Sequence, residues 1–108
     1  MKIDKIDNFK KGWFVGEFYP TLLSTNFEVA YQRHKQNEEH IDHFHKKATE
    51  INLLVRGNII VNGQKLSDGD IFVINPYEVS HVEYLTDAEI IVVRNCSDTA
   101  DKYNFKIF

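Results

Sequence analysis

The chain has 108 residues, 43% of them hydrophobic, and a formal net charge of −3 at pH 7. This length suits one domain spanning 1–108, and the slight acidic excess argues against a nucleic-acid partner. A single cysteine excludes an internal disulfide. The sequence contains neither an apolar run of about 20 residues nor a signal peptide. We therefore expect a soluble, cytoplasmic protein that does not insert into membranes.

Short strand-like segments separated by turn residues follow one another along the chain. Residues 1–12 are predicted to form an edge strand or a loose arm, and 13–19 a β-prone aromatic run. Further strands are predicted at 27–32, 41–45, 48–56, 59–61, 64–66, 71–74, 79–85 and 89–94, with a tight hairpin turn at Asn62-Gly63. About nine short strands without a helical period predict an all-β sandwich or barrel, its core at 27–95 and its tail at 96–108.

Histidines two positions apart form the most informative local pattern. His43 and His45 share one face of a strand, because strand side chains alternate between faces. Glu50 opens the next predicted strand, so a bend after His45 would bring its carboxylate beside both imidazoles. His81, on a later strand, is a fourth candidate ligand. Imidazoles and a carboxylate suit a divalent transition metal such as Fe(II), Mn, Ni, Cu or Zn.

The spacing of these residues resembles the first sequence motif of the cupin superfamily. That motif consists of a glycine, five intervening residues, His-x-His, three or four residues, a glutamate, six residues and a second glycine. His43, His45, Glu50 and Gly57 match its second half. Asn37 replaces the opening glycine, and asparagine also tolerates the left-handed backbone conformation.

The second cupin motif is matched less fully. Gly69, Pro76 and His81 occupy its glycine, proline and histidine positions, whereas Glu78 replaces its second glycine and Leu85 its asparagine. The resemblance spans residues 37–85. It implies a double-stranded β-helix, or jelly-roll barrel, in which His43, His45, Glu50 and His81 point inward around one divalent metal: iron, manganese, zinc or nickel. The alternative is a metal-free barrel that keeps the histidines only as polar lining.

Several other polar residues are candidates for the mouth of such a pocket. Arg56 and Arg94 each present a guanidinium that can hold a carboxylate or phosphate, and Asn52 shares a strand face with the glutamate. Glu83 and Tyr31 are the candidate proton shuttles. His40 is expected to be an exposed loop residue.

Three functions are compatible with this pattern. The first is a metal-dependent enzyme that isomerises or epimerises a sugar-like metabolite, or that adds O₂ with Fe(II). The second is a metal-assisted binding module for a small ligand without turnover, and the third a purely structural barrel. The segment 92–103 resembles small stand-alone cupins of carbohydrate metabolism, which favours a sugar-like substrate.

The aromatic tail favours self-association. Tyr103, Phe105 and Phe108 would expose apolar surface on a monomer, so a homodimer is predicted. The alternative is a tail that folds back onto its own barrel.

Overall fold

The computed structural model describes residues 1–105, which form an all-β structure. Two 3₁₀ turns, Ile6–Asn8 and Lys10–Gly12, precede the first strand. The strands are β1 (Trp13–Val15), β2 (Glu28–His34), β3 (His43–Phe44), β4 (Glu50–Arg56), β5 (Ile59–Val61), β6 (Gln64–Leu66), β7 (Ile71–Ile74), β8 (Val82–Tyr84), β9 (Ala88–Arg94) and β10 (Tyr103–Asn104). No helix in this range is both long and apolar enough to cross a membrane.

The strands form a large and a small antiparallel sheet that enclose the core, together with a two-stranded ribbon. The large sheet has the order β1-β2-β9-β4-β7, the small sheet β6-β5-β8, and β10 pairs with β3. Neighbours in the large sheet are mostly distant in sequence, as in β2 with β9 and β4 with β9. The predicted all-β jelly-roll barrel is confirmed.

Side chains on alternate positions of the strands fill the space between the sheets. Leu54 on β4 and Ile59 on β5 are fully buried, and Ala30, Ile90 and Val92 pack around them. Burying one such large aliphatic side chain contributes about 1.5–3 kcal/mol. The period-two pattern that predicted the strands therefore also identifies the barrel interior.

Several element boundaries differ from the prediction. The strand predicted at 41–45 is reduced to His43–Phe44, and the one at 79–85 to Val82–Tyr84. The first twelve residues form neither an edge strand nor a loose arm. Instead they make the two 3₁₀ turns, anchored by the buried side chain of Phe9. Hydrophobic anchoring of this kind depends on tertiary contacts that a local pattern does not show.

The turns follow the local chemistry closely. Asn62 and Gly63 have φ angles of 48° and 81° and connect β5 to β6, as the hairpin prediction required. Asn37 adopts φ 61°, the left-handed conformation expected where the cupin motif has glycine. Its amide donates a hydrogen bond of 2.9 Å to the carbonyl of Tyr84.

Gly57 directly follows β4, and its backbone conformation and close neighbours leave no room for a side chain. Its φ is 122°, and an added Cβ would lie 2.7 Å from the carbonyl oxygen of Asp87 and 2.9 Å from the Cβ of Ala88. Gly63 also has a positive φ, but no atom lies within 4 Å of the Cβ position.

We expect Gly57→Ala to destabilise the protein more than Gly63→Ala. Both variants incur the strain of a positive φ, about 1–3 kcal/mol, but only Gly57→Ala adds a backbone clash. Urea unfolding of the two variants beside the wild type measures the difference. Equal loss of stability in both would contradict the close packing described at Gly57.

Candidate functional site

An inner cavity of about 190 Å³ lies within the barrel. Six residues that bear on its chemistry line it: Trp13, His43, Glu50, Asn52, Arg94 and Lys102. A wider vestibule of about 570 Å³ lies between the two N-terminal 3₁₀ turns and the barrel mouth. The two spaces share lining residues, including His40 and Lys102, so they lie side by side.

Glu50 is held by a network of polar side chains on the inner face of the large sheet. Arg94 Nε donates to Glu50 Oε2 over 2.8 Å, and Asn52 Nδ2 donates to Glu50 Oε1 over 3.2 Å. The Arg94 guanidinium also lies 3.4 Å from the buried carboxylate of Glu28 and stacks 4.4 Å from the centre of the Trp13 ring. The register explains this contact, because Glu50 and Glu28 are both paired with Arg94 across neighbouring strands.

The network keeps Glu50 ionised. Burial raises the pKa of this carboxyl, but the adjacent His45 imidazole and the charge and hydrogen bond of Arg94 outweigh burial and lower the pKa to about 2. Glu50 is therefore a carboxylate at any ordinary pH, which is the form that binds cations.

Backbone carbonyls orient both predicted imidazole ligands. His45 Nδ1 donates to the carbonyl of Asp101, and His43 Nδ1 donates to the carbonyl of Ile41 over 2.9 Å. A carbonyl oxygen only accepts hydrogen bonds, so each Nδ1 carries the proton and a neutral ring has its lone pair on Nε2. The two rings lie 5.3 Å apart at an angle of 85°. Histidine ligands of metals are commonly fixed in this way.

His45 Nε2 is buried and has no hydrogen-bond partner among the described residues. It lies 3.6 Å from Glu50 Oε2. A neutral imidazole nitrogen and a carboxylate oxygen both present electron pairs, and leaving a buried polar atom unpaired costs about 1–3 kcal/mol. A proton on Nε2 or a bound metal ion would satisfy both atoms.

Asp101 is the residue that the sequence prediction missed. Its buried carboxylate accepts three backbone N–H bonds of 2.8 to 3.0 Å from the loop after β3, at Lys46, Lys47 and Ala48. Burial raises the pKa of this carboxyl, and the three hydrogen bonds outweigh it and lower the pKa below its usual value. No local motif marks the residue, because its partners lie more than 50 positions earlier in the chain.

The expected inward orientation of His81 is wrong. Ser80, Val82 and Tyr84 are buried, so the alternation of the strand places His81 and Glu83 on the outer face. The His81 side chain is 51% exposed. Its Nδ1 lies 2.8 Å from the carboxylate of Asp42, which raises the pKa of the imidazole.

The other predicted site residues divide between the cavity and the outside. Asn52 and Arg94 line the inner cavity, as expected for ligand-binding residues. Glu83 is 55% exposed on the outer face, and Arg56 is exposed and lines neither cavity, so the predicted placement of these two residues at the pocket is wrong. Tyr31 lines only the vestibule.

His40 differs from its prediction as an exposed loop residue. It is half-buried, lines both cavities and lies 5.3 Å from the His43 ring. Burial lowers the pKa of its imidazole, and the Asp42 carboxylate, 3.5 Å from Nδ1, opposes that effect.

The donor atoms fit a transition metal in their chemistry, but they do not form a finished cage. His43, His45 and Glu50 lie together, with two Nε2 lone pairs and a charged carboxylate. Within residues 1–105, however, no group of three or more His, Cys, Asp or Glu side chains has the arrangement of a metal site. His81, the fourth predicted ligand, lies outside the barrel.

Comparisons with known proteins bear on the fold. No family model and no curated protein sequence matches the chain. A solved protein from Klebsiella pneumoniae with a double-stranded β-helix domain is 16% identical, with 99% of each chain covered and a TM-score of 0.70. A cupin protein from Bacteroides fragilis is 18% identical, covering 78% of this chain and 73% of that one, with a TM-score of 0.56. The fold is that of the cupins.

A third solved structure contains the same fold within a larger protein. Salicylate 1,2-dioxygenase from Pseudaminobacter salicylatoxidans is 15% identical, with a TM-score of 0.61 over 71% of this chain and 23% of that one. At identities this low, the structural likeness establishes the cupin fold alone. The activity has to be inferred from the residues of the site.

We expect Glu50→Gln to change the acid stability of the protein. The folded pKa of Glu50 lies below the ordinary value of 4.5, so ionisation stabilises the fold above pH 4.5, and this contribution is lost as the pH falls towards 2. Over this range the free energy of unfolding of the wild type therefore falls by on the order of 3 kcal/mol, and this contribution is missing from the variant. Urea unfolding at pH 7, 5, 4, 3 and 2 measures it.

Glu39→Gln, at an exposed glutamate, is the control for this experiment. The Glu50→Gln variant should be the less stable protein at pH 7, and its difference from the wild type should shrink with acidification. A constant difference from pH 7 to pH 2 would contradict the ion pair with Arg94.

Proposed function

We propose that this chain is a metal-dependent cupin that binds a small polar metabolite in the inner cavity. His43, His45 and Glu50 would hold one divalent transition metal. The supporting observation is the buried, unpaired Nε2 of His45, which lies beside a carboxylate that is ionised at any ordinary pH. A bound cation would satisfy both atoms at once.

The chain's own residues prepare these donors. The carbonyls of Asp101 and Ile41 fix the two rings so that each Nε2 keeps its lone pair. Arg94 orients Glu50 and occupies one lone pair of Oε2, and each carboxylate oxygen has two. When bound, the metal would supply a Lewis acid for a carbonyl or hydroxyl oxygen or, as iron, a centre for O₂ chemistry.

The cavity favours a small polar substrate. Its volume of about 190 Å³ and its lining of Asn52, Arg94 and Lys102 suit a sugar-like metabolite better than a large apolar one. Isomerisation or epimerisation of such a compound is therefore the first reaction to test, and Fe(II)-dependent oxygenation is the second. One structural neighbour is a dioxygenase. Metal-assisted binding without turnover is the alternative function.

Metal content of untagged protein, purified without chelator and measured by mass spectrometry, tests the proposal. We expect near-stoichiometric metal in the wild type and its loss in His45→Ala and His43→Ala, because each variant removes one imidazole donor. His81→Ala is the matched control, and its metal content should stay unchanged, since His81 lies on the outer face.

Each other outcome has a definite meaning. Metal absent from the wild type, or retained in both inner variants, would contradict the proposed centre. Metal lost in His81→Ala would show that this side chain turns inward as a fourth ligand. Product formation with the loaded protein, under nitrogen or with O₂ uptake, would separate an enzyme from a binding module.

We also propose that two copies associate through the outer face of the large sheet. Ile51, Val73 and Val93 are aligned across β4, β7 and β9, and between 36% and 46% of each residue is exposed. The neighbouring row on the same outer face, two positions along each strand, is also entirely aliphatic: Ile71, Leu53 and Ile91. Six adjacent aliphatic positions make a flat apolar patch, which a second copy of the same face would cover.

The aromatic tail supports the proposed dimer only in part. Tyr103 stacks on Phe44 of the same chain at 5.4 Å, so the tail folds back at this residue, and Phe105 remains 42% exposed. Phe108 lies outside the described residues.

Ile51→Lys should convert a dimer to a monomer, because it places a charge in the middle of the apolar patch, between Val73 and Val93. Gln64→Lys, at an exposed position of the small sheet, is the control and should remain dimeric. Light scattering coupled to gel filtration gives the mass of each. A wild-type protein with the mass of a monomer would refute the dimer.

A further inference from the structure

Two lysines lie where the vestibule meets the inner cavity. Lys11 and Lys102 each line both spaces, although they lie 91 positions apart in the sequence (102 − 11). Neither residue belongs to the cupin-like motifs or to the proposed metal ligands, and neither has a role in the hydrogen-bond network around Glu50.

Both lysines stand on backbone that is held in place. Asp101, directly before Lys102, is fixed by three backbone N–H groups and by His45, and β10 begins directly after Lys102. Lys11 has a left-handed φ of 52°, and the following Gly12 packs directly against the backbone of Tyr31. The fold therefore holds both lysines at the wall of the cavity, and both remain exposed to solvent.

The acidic residues Glu38 and Glu39 also line the vestibule, but neither forms an ion pair with Lys11 or Lys102. Among residues 1–105, neither Lys11 nor Lys102 has an acidic group within 4.0 Å. Glu50 already bonds to Arg94, and Asp7, in the vestibule wall, pairs with Arg33 at 3.6 Å. Burial, followed by the nearby charges of Lys11 and Arg94, lowers the pKa of Lys102, and the charge of Glu50 opposes them.

We propose that Lys11 and Lys102 bind the anionic group, a carboxylate or a phosphate, of a small metabolite at the junction of the two cavities. An anion between the ammonium groups would form two charge-assisted hydrogen bonds and relieve their repulsion. The inference deepens the proposed function by naming the charge of its ligand. It does not require the metal, so the two proposals can fail separately.

The only tryptophan, Trp13, provides a direct readout, because its ring lines the inner cavity. Fluorescence titrations with D-glucuronate, D-glucose and inorganic phosphate compare a carboxylate, a neutral sugar of similar size and a phosphate. Calorimetry repeats each titration without relying on the fluorophore. Glucuronate and phosphate should bind, and glucose should bind at least tenfold more weakly.

Matched lysine variants locate the anion. Lys102→Met should weaken glucuronate binding roughly tenfold or more, and Lys11→Met should weaken it several-fold. Lys102→Arg keeps the charge and should restore most of the affinity. Lys65→Met, at an exposed position on β6, should have no effect.

Repeating the titrations on chelator-treated and metal-loaded protein separates this site from the metal centre. Binding to glucuronate that survives chelation and is lost in Lys102→Met supports the lysine site, even if no metal is found. Equal binding of glucose and glucuronate, no binding of any probe, unchanged affinity in Lys102→Met, or binding that depends on metal alone would each overturn the inference.

Discussion

The hydrogen bonds of Asp101 tie the C-terminal tail to the loop between β3 and β4, and the geometry of the site depends on them. The carboxylate fixes the loop backbone, and the carbonyl of the same residue fixes the ring of His45. Hydrogen bonds to a charged group contribute about 1.5–3 kcal/mol each. One residue therefore positions both the loop and an imidazole, and the neighbouring Lys102 reaches the cavity because Asp101 is anchored.

A second constraint is the buried charge network around Arg94. Its guanidinium lies between the carboxylates of Glu28 and Glu50 and against the ring of Trp13. Ser97 Oγ donates to the second oxygen of Glu28 over 3.3 Å, so the remaining acceptor is also satisfied. Burying charges is expensive unless they are fully paired. Because the pairing is nearly complete, Glu50 can remain charged inside the barrel, and its orientation towards His45 is fixed.

Local sequence chemistry predicted much of the fold. The Asn62-Gly63 turn and the left-handed Asn37 both follow from constraints that act within a few residues. The clustering of His43, His45 and Glu50 follows in the same way, because these residues lie within eight positions of the chain (50 − 43 + 1). The close packing at Gly57 does not, because it is made with Asp87 and Ala88.

His81 shows where this kind of inference fails. Its face depends on the turn that precedes β8, where the left-handed residue is Tyr77, with φ 67°, whereas the cupin motif has its glycine one position later, at Glu78. A shift of one residue exchanges the two faces of a strand, so Ser80 becomes buried and His81 exposed. Asp101 was missed for a different reason. Its hydrogen-bond partners are more than 50 residues away, and only the folded chain brings them together.

The two kinds of groups in the barrel together define an orientation for a ligand. His43 and Glu50 line the inner cavity with electron-pair donors, whereas Lys11 and Lys102 place positive charges at its junction with the vestibule. A metabolite with an anionic group at one end and a carbonyl or hydroxyl oxygen at the other complements both regions in one direction only. Its charged end would lie at the lysines and its uncharged oxygen towards the imidazoles. Chemical change would then occur at the uncharged end, beside the donors that can hold a cation.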